Sequence, residues 1–173
     1  MSWQLRRAGI EDLDAIMQIE TSVFTTDAWT SDAMRADLSS PHCYYLVARA
    51  ADDSPGTARI AGYAGLLAPR GAKEGDIQTI AVAPEARRSG LGRVLMTSLM
   101  NEARRRGARE IFLEVRADNP GAEALYSSLG FERLGVRPGY YQPDNVDAIV
   151  MRAGIPEPQT RWAGIDEGEE IES

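Results

Sequence analysis

Residues 80–93, Ile80-Ala81-Val82-Ala83-Pro84-Glu85-Ala86-Arg87-Arg88-Ser89-Gly90-Leu91-Gly92-Arg93, have the composition of an anion site. The apolar run reads as a short buried strand, Pro84 as a turn, and the two glycines as a loop that opens a helix. Glycine lets a backbone approach a ligand closely, and a helix start leaves amide N–H groups unpaired. Those groups, with the positive end of the helix dipole, favour a phosphate. Arg87, Arg88 and Arg93 add positive charge, and no acid lies among residues 87–93. The segment therefore reads as a cradle for a pyrophosphate. It is not a Walker loop, because Arg93-Val94 rather than Lys-Ser or Lys-Thr follows the second glycine. Nor is it the dinucleotide fingerprint, which needs a third glycine. Two glycines beside arginines are also what an ordinary strand-to-helix turn shows.

Two side chains further on could move protons. Glu114 stands near the end of an alternating stretch, on the face opposite Ile111, Leu113 and Val115. There it is a general base, a solvated carboxylate or a partner of Arg116. Tyr126 shares a helix face with Ala122, Leu125 and Leu129, so it is either an acid or a packed core tyrosine. Asn119 precedes Pro120 as a helix cap. His42 and Cys43 are neighbours in a strand-like segment, where adjacent side chains point to opposite faces. They cannot form a dyad, and Cys43 reads as a small buried apolar residue.

The elements that must position these groups follow from periodicity. Strands are predicted over residues 3–7, 43–50, 59–67, 75–82, 109–115, 131–136 and 147–152. Helices are predicted over 11–24, from Thr30 to Leu38, after Gly92 as far as Gly107, and from Asn119 to Gly130. Residues 51–56 are a turn by composition. The order β-α-α-β-β-β-α-β-α-β-β describes an α/β (mixed α+β) domain. Its sheet would be mixed, mostly antiparallel, with six to seven strands, flanked by four helices. The domain is expected to span residues 1–153, with residues 154–173 an acidic, mobile tail. Residues 157–173 carry six acids against Arg161 alone, so most of the net charge of −7 belongs there. The body is nearly neutral, which argues against nucleic-acid binding by a basic face.

The N-terminus lacks an apolar signal-peptide core, and no apolar run reaches membrane-spanning length. A single cysteine cannot make an internal disulfide, so a cytoplasmic setting fits.

Arg87-x-x-Gly90-x-Gly92 after an apolar strand resembles the acetyl-CoA pyrophosphate loop of the GNAT N-acetyltransferases, and the element order is theirs too. Residues 113–131 resemble that family's second signature. Tyr140-Tyr141-Gln142-Pro143, followed by Asp147-Ala148-Ile149-Val150-Met151, resembles its bacterial RimI-type subgroup. The resemblance spans residues 3–152 and is strongest over 76–152.

It implies acetyl-CoA as co-substrate, no metal, and direct amine attack in a ternary complex. Ile80, Ala81 and Val82 would pair with the pantetheine arm, and Arg88, Ser89, Gly90, Leu91, Gly92 and Arg93 would cradle the pyrophosphate. Asn119 would contact the cofactor, Glu114 would be the base and Tyr126 the proton donor. Trp29, Tyr140 and Tyr141 would line a peptide groove, with Tyr140 and Tyr141 on a loop. The implied acceptor is a protein N-terminus, the N-terminal alanine of a small-subunit ribosomal protein. Transfer to free small amines and a non-catalytic acetyl-CoA-binding module are the alternatives. Ala28-Trp29-Thr30 departs from the Pro-Trp-Ser frequent in the subgroup.

Overall fold

The computed structural model describes residues 2–50 and 59–156. The turn expected at 51–56 and the segment 157–173 lie outside the described residues. Within them, seven strands form one sheet: β1 (Trp3–Arg7), β2 (Cys43–Ala50), β3 (Gly62–Leu67), β4 (Glu74–Val82), β5 (Glu110–Arg116), β6 (Glu132–Tyr141) and β7 (Val146–Gly154). The helices are α1 (Leu13–Val23), α2 (Ser31–Ser39), α3 (Leu91–Arg105) and α4 (Pro120–Ser128). This is the predicted element order, with four helices on a mixed sheet. Among the described residues no helix is long and apolar enough to cross a membrane.

The sheet runs β1-β2-β3-β4-β5-β7-β6. Every neighbouring pair is antiparallel except β4 and β5. That parallel pair is joined only at Glu74–Asp76 against Glu110–Phe112, and beyond it the two strands separate. From Ile77 to Val82, β4 has a strand partner on its β3 side alone. Gly65 pairs with Thr79 and Leu66 with Ile77, so Gln78 is bulged out of register at the split. The split is the feature on which the site is built.

Amphipathic spacing puts a helix pair on each face. Leu13, Ile16 and Ile19 of α1 and Met34 of α2 pack with Tyr45, Val47 and Tyr63. Leu91, Leu95, Met96 and Leu99 of α3 pack with Ile111, Leu113, Tyr126 and Met151 on the other face. Truncating a fully buried residue such as Leu95 or Leu99 to Ala would cost about 2–5 kcal/mol. Gly65 is required by packing: a Cβ there would collide with the Tyr45 ring, whose hydroxyl donates to Asp37 at 2.6 Å.

Three expectations need correction. β3 begins at Gly62 rather than residue 59. β6 runs on through Pro138 and Gly139, so Tyr140 and Tyr141 end a strand instead of lying on a loop. An edge strand tolerates proline because its outer N–H groups need no partner, and the register with β7 shifts between Arg137 and Tyr141. Residues 154 and 155, assigned above to the tail, belong to the body. Gly154 pairs with Glu110, and buried Ile155 donates its N–H to Arg109 O at 2.8 Å.

Candidate active site

Where β4 and β5 part, a cleft of about 1130 Å³ opens between Ile77–Val82 and Leu113–Arg116. One end is closed by Arg87, Arg88, residues 90–93 and α4, the other by Phe24–Asp27, Trp29, Tyr141 and Asp144. Residues from both faces of the sheet reach it.

The first end has the properties expected of an anion cradle. Arg88 (φ 63°) and Gly90 (φ 84°) are left-handed, which turns the chain sharply into α3. Gly90 is the N-cap and offers no capping side chain, and the N–H groups of Leu91, Gly92 and Arg93 have no partner among the described residues. Three donors and the positive end of a 15-residue helix thus meet at one point. Gly92 has a second reason to be glycine, since a Cβ would meet Leu125 Cδ2 of α4 at 3.3 Å.

The arginines differ. Arg93 Nη2 donates to Ser128 Oγ at 2.7 Å, and Arg87 Nε to Val82 O at 3.2 Å. Arg88 has no bond to the described residues. Ser89 Oγ is committed to Ala86 O, at 2.5 Å, and Ser89 does not line the cleft. Asn119 does line it, and its side chain accepts the Ala122 N–H at 3.2 Å as the cap of α4.

Midway, Glu114 and Tyr126 face the cleft from opposite sides of the sheet. Glu114 Oε2 is ion-paired with Arg137 Nε at 3.0 Å, and the same carboxylate pushes the Tyr140 phenol up. Tyr126 packs edge-on against Phe131, with ring centroids 6.1 Å apart. Its hydroxyl has no hydrogen-bond partner among the described residues. Burial pushes the phenol up to about 12, so it holds its proton throughout the physiological range.

At the far end Trp29 and Tyr141 line the cleft, whereas Tyr140 does not. Tyr140 is 46% exposed and packs edge-on against Tyr141, ring centroids 5.1 Å apart.

Two features of this end are absent from the sequence reading. Arg116 binds Asp118, Asp27 and Asp144 within 2.9–3.2 Å and lies 5.3 Å from the Tyr141 ring centroid. It joins three connecting segments, and three carboxylates surround one cation. The other is Glu20, a buried carboxylate pushed up to about 7 by burial, against the lowering effect of the Trp29 N–H. Its place beside Ile16 and Ile19 on the apolar side of α1 was the available signal.

A seven-stranded sheet split at its parallel pair, with an anion cradle at the split, is the architecture of acetyl-transferring enzymes. The model of the acetyltransferase (GNAT) family matches residues 13–131. The chain belongs to that family and is an N-acetyltransferase.

Within the family it is similar to the N-alpha-acetyltransferase RimI of Mycobacterium tuberculosis. The two are 37% identical over 150 residues, 85% of this chain and 89% of that protein. The ribosomal protein bS18-alanine N-acetyltransferase of Escherichia coli is 45% identical over 84 residues, 47% of this chain and 57% of that enzyme. A crystal structure of the ribosomal-protein-S18-alanine N-acetyltransferase from Escherichia coli matches with a TM-score of 0.75 at 28% identity, covering 92% and 98% of the two chains. The same fold is seen in Arabidopsis thaliana NAA60 in complex with acetyl-CoA, with a TM-score of 0.79 at 16% identity over 89% and 99% of the chains. An uncharacterized Mycobacterium leprae protein is 40% identical over 144 residues, 82% of this chain, which spans 38% of that protein's length.

Proposed function

We propose that this enzyme transfers the acetyl group of acetyl-CoA to the α-amine of a protein N-terminus, that of the alanine that begins a small-subunit ribosomal protein. The observation that carries the reading is one cleft holding a carboxylate and a protonated phenol between an anion cradle and an aromatic, acid-rich end. The ribosomal-protein activities named for the Escherichia coli relatives support this acceptor.

The residues present fit the co-substrate. The Leu91, Gly92 and Arg93 N–H groups and Arg88 would hold its pyrophosphate. The open edge of β4 at Ile80–Val82 would pair with its amide-bearing arm, and Asn119 would border it. Bound there, acetyl-CoA supplies an acetyl group already activated as a thioester.

The chain's own groups then do three things. An N–H on the open β4 edge donates to the carbonyl oxygen as negative charge grows on it. Glu114 accepts a proton from the acceptor, directly or through water, which matters because an α-amine with a pKa of about 7.7–8.0 is mostly protonated at pH 7. The amine nitrogen bonds to the acetyl carbon as the carbon–sulfur bond breaks. Tyr126 donates its hydroxyl hydrogen towards the leaving sulfur.

The carboxylates of Asp27, Asp118 and Asp144 outnumber Arg116 at the far end, which favours an ammonium group and a cationic second residue. Trp29 and Tyr141 supply aromatic surface on which an arginine stacks. Acetyl transfer to a panel of N-terminal hexapeptides tests the reading. Ala-Arg peptides are expected to have the highest kcat/KM, and activity confined to free small amines would overturn it.

A further inference from the structure

Glu20 is a buried carboxylate that the transfer chemistry leaves unused. It sits in the last turn of α1, 1% exposed, and grips the α1–α2 connection at both ends. Its main-chain oxygen accepts the Phe24 N–H at 2.9 Å, and its Oε2 accepts the Trp29 N–H at 2.8 Å. Residues 24–27 and Trp29 line the far end of the cleft. The middle of the connection is held separately, by Thr26 Oγ1 donating to Asp144 Oδ2 at 2.7 Å and by the Arg116–Asp27 pair at 3.2 Å. The Thr26 bond is exposed and competes with water, whereas the Glu20 carboxylate is shielded from it.

Beneath the connection, Glu20 Oε1 lies 3.5 Å from Thr79 Oγ1 of β4, which is 3.3 Å from the Tyr63 hydroxyl of β3. The same side chain therefore spans from the open strand of the cleft to the wall at its end.

We propose that Glu20 is a positioning residue for the acceptor: its carboxylate fixes the Trp29 backbone and, through it, the wall formed by residues 24–29. The proposal rests on the reading of this end as the acceptor groove. A hydrogen bond to an ionised carboxylate is about twice as strong as one to a neutral acceptor. The wall is thus held tightly when Glu20 is ionised and loosely when it is protonated. The groups around Glu20 are Asp27 of the connection, Tyr45 of β2, Tyr63 of β3 and Thr79 of β4; Asp37 of α2 is itself bound by Tyr45 and Gln78. With burial and Asp27 both raising the carboxyl, to about 7, the change falls near neutral pH. Acceptor affinity should then weaken as pH falls below 7.

The test uses the full chain with an Ala-Arg hexapeptide and acetyl-CoA, each varied while the other is saturating, from pH 6 to 8.5. Glu20→Gln keeps an acceptor for the Trp29 N–H and removes the charge. It should raise the peptide KM by roughly fivefold or more at pH 8 while kcat and the acetyl-CoA KM stay within about twofold. Titration of the peptide amine affects both proteins equally, so the ratio of their KM values isolates Glu20. That ratio should shrink towards one at pH 6. Equal KM values at pH 8, with both proteins active, would overturn the proposal. The wild-type protein gives a second readout that needs no variant. The Trp29 amide proton, followed by NMR, should titrate with a midpoint near 7, and a flat response would also overturn it. A wild-type enzyme inert towards every N-terminal peptide would instead refute the functional reading.

Discussion

Arg137 Nε lies 3.0 Å from Glu114 Oε2, and the pair reaches across β7, which stands between their two strands. Both side chains are partly exposed, so the ion pair contributes little to stability, about 0–1 kcal/mol. Its value lies in aim: it holds the carboxylate at the cleft. Glu114→Gln should lower kcat by roughly 10²–10⁴, with partial recovery at higher pH as the acceptor deprotonates unaided. Arg137→Ala should leave the melting temperature nearly unchanged and reduce kcat far less. An Arg137 variant as impaired as Glu114→Gln would show that Arg137 does more than orient that carboxylate.

Tyr126 separates packing from chemistry cleanly. Its ring meets Phe131 edge-on, and its hydroxyl has no partner among the described residues. Tyr126→Phe therefore keeps the contact and buries no new unpaired group. Thermal stability should hold while turnover falls. Turnover at the wild-type rate would reduce Tyr126 to a core residue.

The two glycines of the cradle should fail for different reasons. Gly90→Val meets the strain of φ 84° in otherwise open space, whereas Gly92→Val drives a side chain into Leu125. Either should raise the Kd for CoA by roughly tenfold or more, about 1.4 kcal/mol, as isothermal titration calorimetry would report. Unchanged affinity in a folded double variant would place the cofactor elsewhere.

The turn into α3 and the placement of Glu114 and Tyr126 were legible in the sequence because each depends on local signals. Glycine spacing, an uncapped helix start and an alternating strand all lie within a few residues of the groups they position. The split of the sheet was not legible. It depends on where β4 and β5 stop pairing, and these strands are joined through α3, so no short-range pattern encodes their register. Arg116 looked like a partner for its neighbour Glu114, yet it binds Asp27 and Asp144 from distant connections. Tyr140 and Tyr141 looked equivalent. Strand geometry sends Tyr141 into the cleft and leaves Tyr140 outside it, exposed.

Glu20 also predicts a pH dependence of stability. Its carboxyl binds a proton more tightly in the folded chain, about 7 against 4.5 when unfolded, so folding is favoured by low pH at this site. Its contribution should decline as pH rises from about 4.5 to about 7 and level off above that. Glu20→Gln should flatten this part of the profile in urea unfolding monitored by circular dichroism. A profile that superposes on the wild type would mean that Glu20 ionises normally.

One competition decides whether the acceptor is an N-terminal α-amine. A peptide beginning Ala-Arg and carrying one internal lysine is incubated with acetyl-CoA and enzyme, and fragment-ion mass spectrometry locates the acetate. Acetate is expected on the alanine α-amine, with kcat/KM roughly tenfold or more above that for the lysine. Acetate on the lysine ε-amine, with the N-terminus left free, would contradict it.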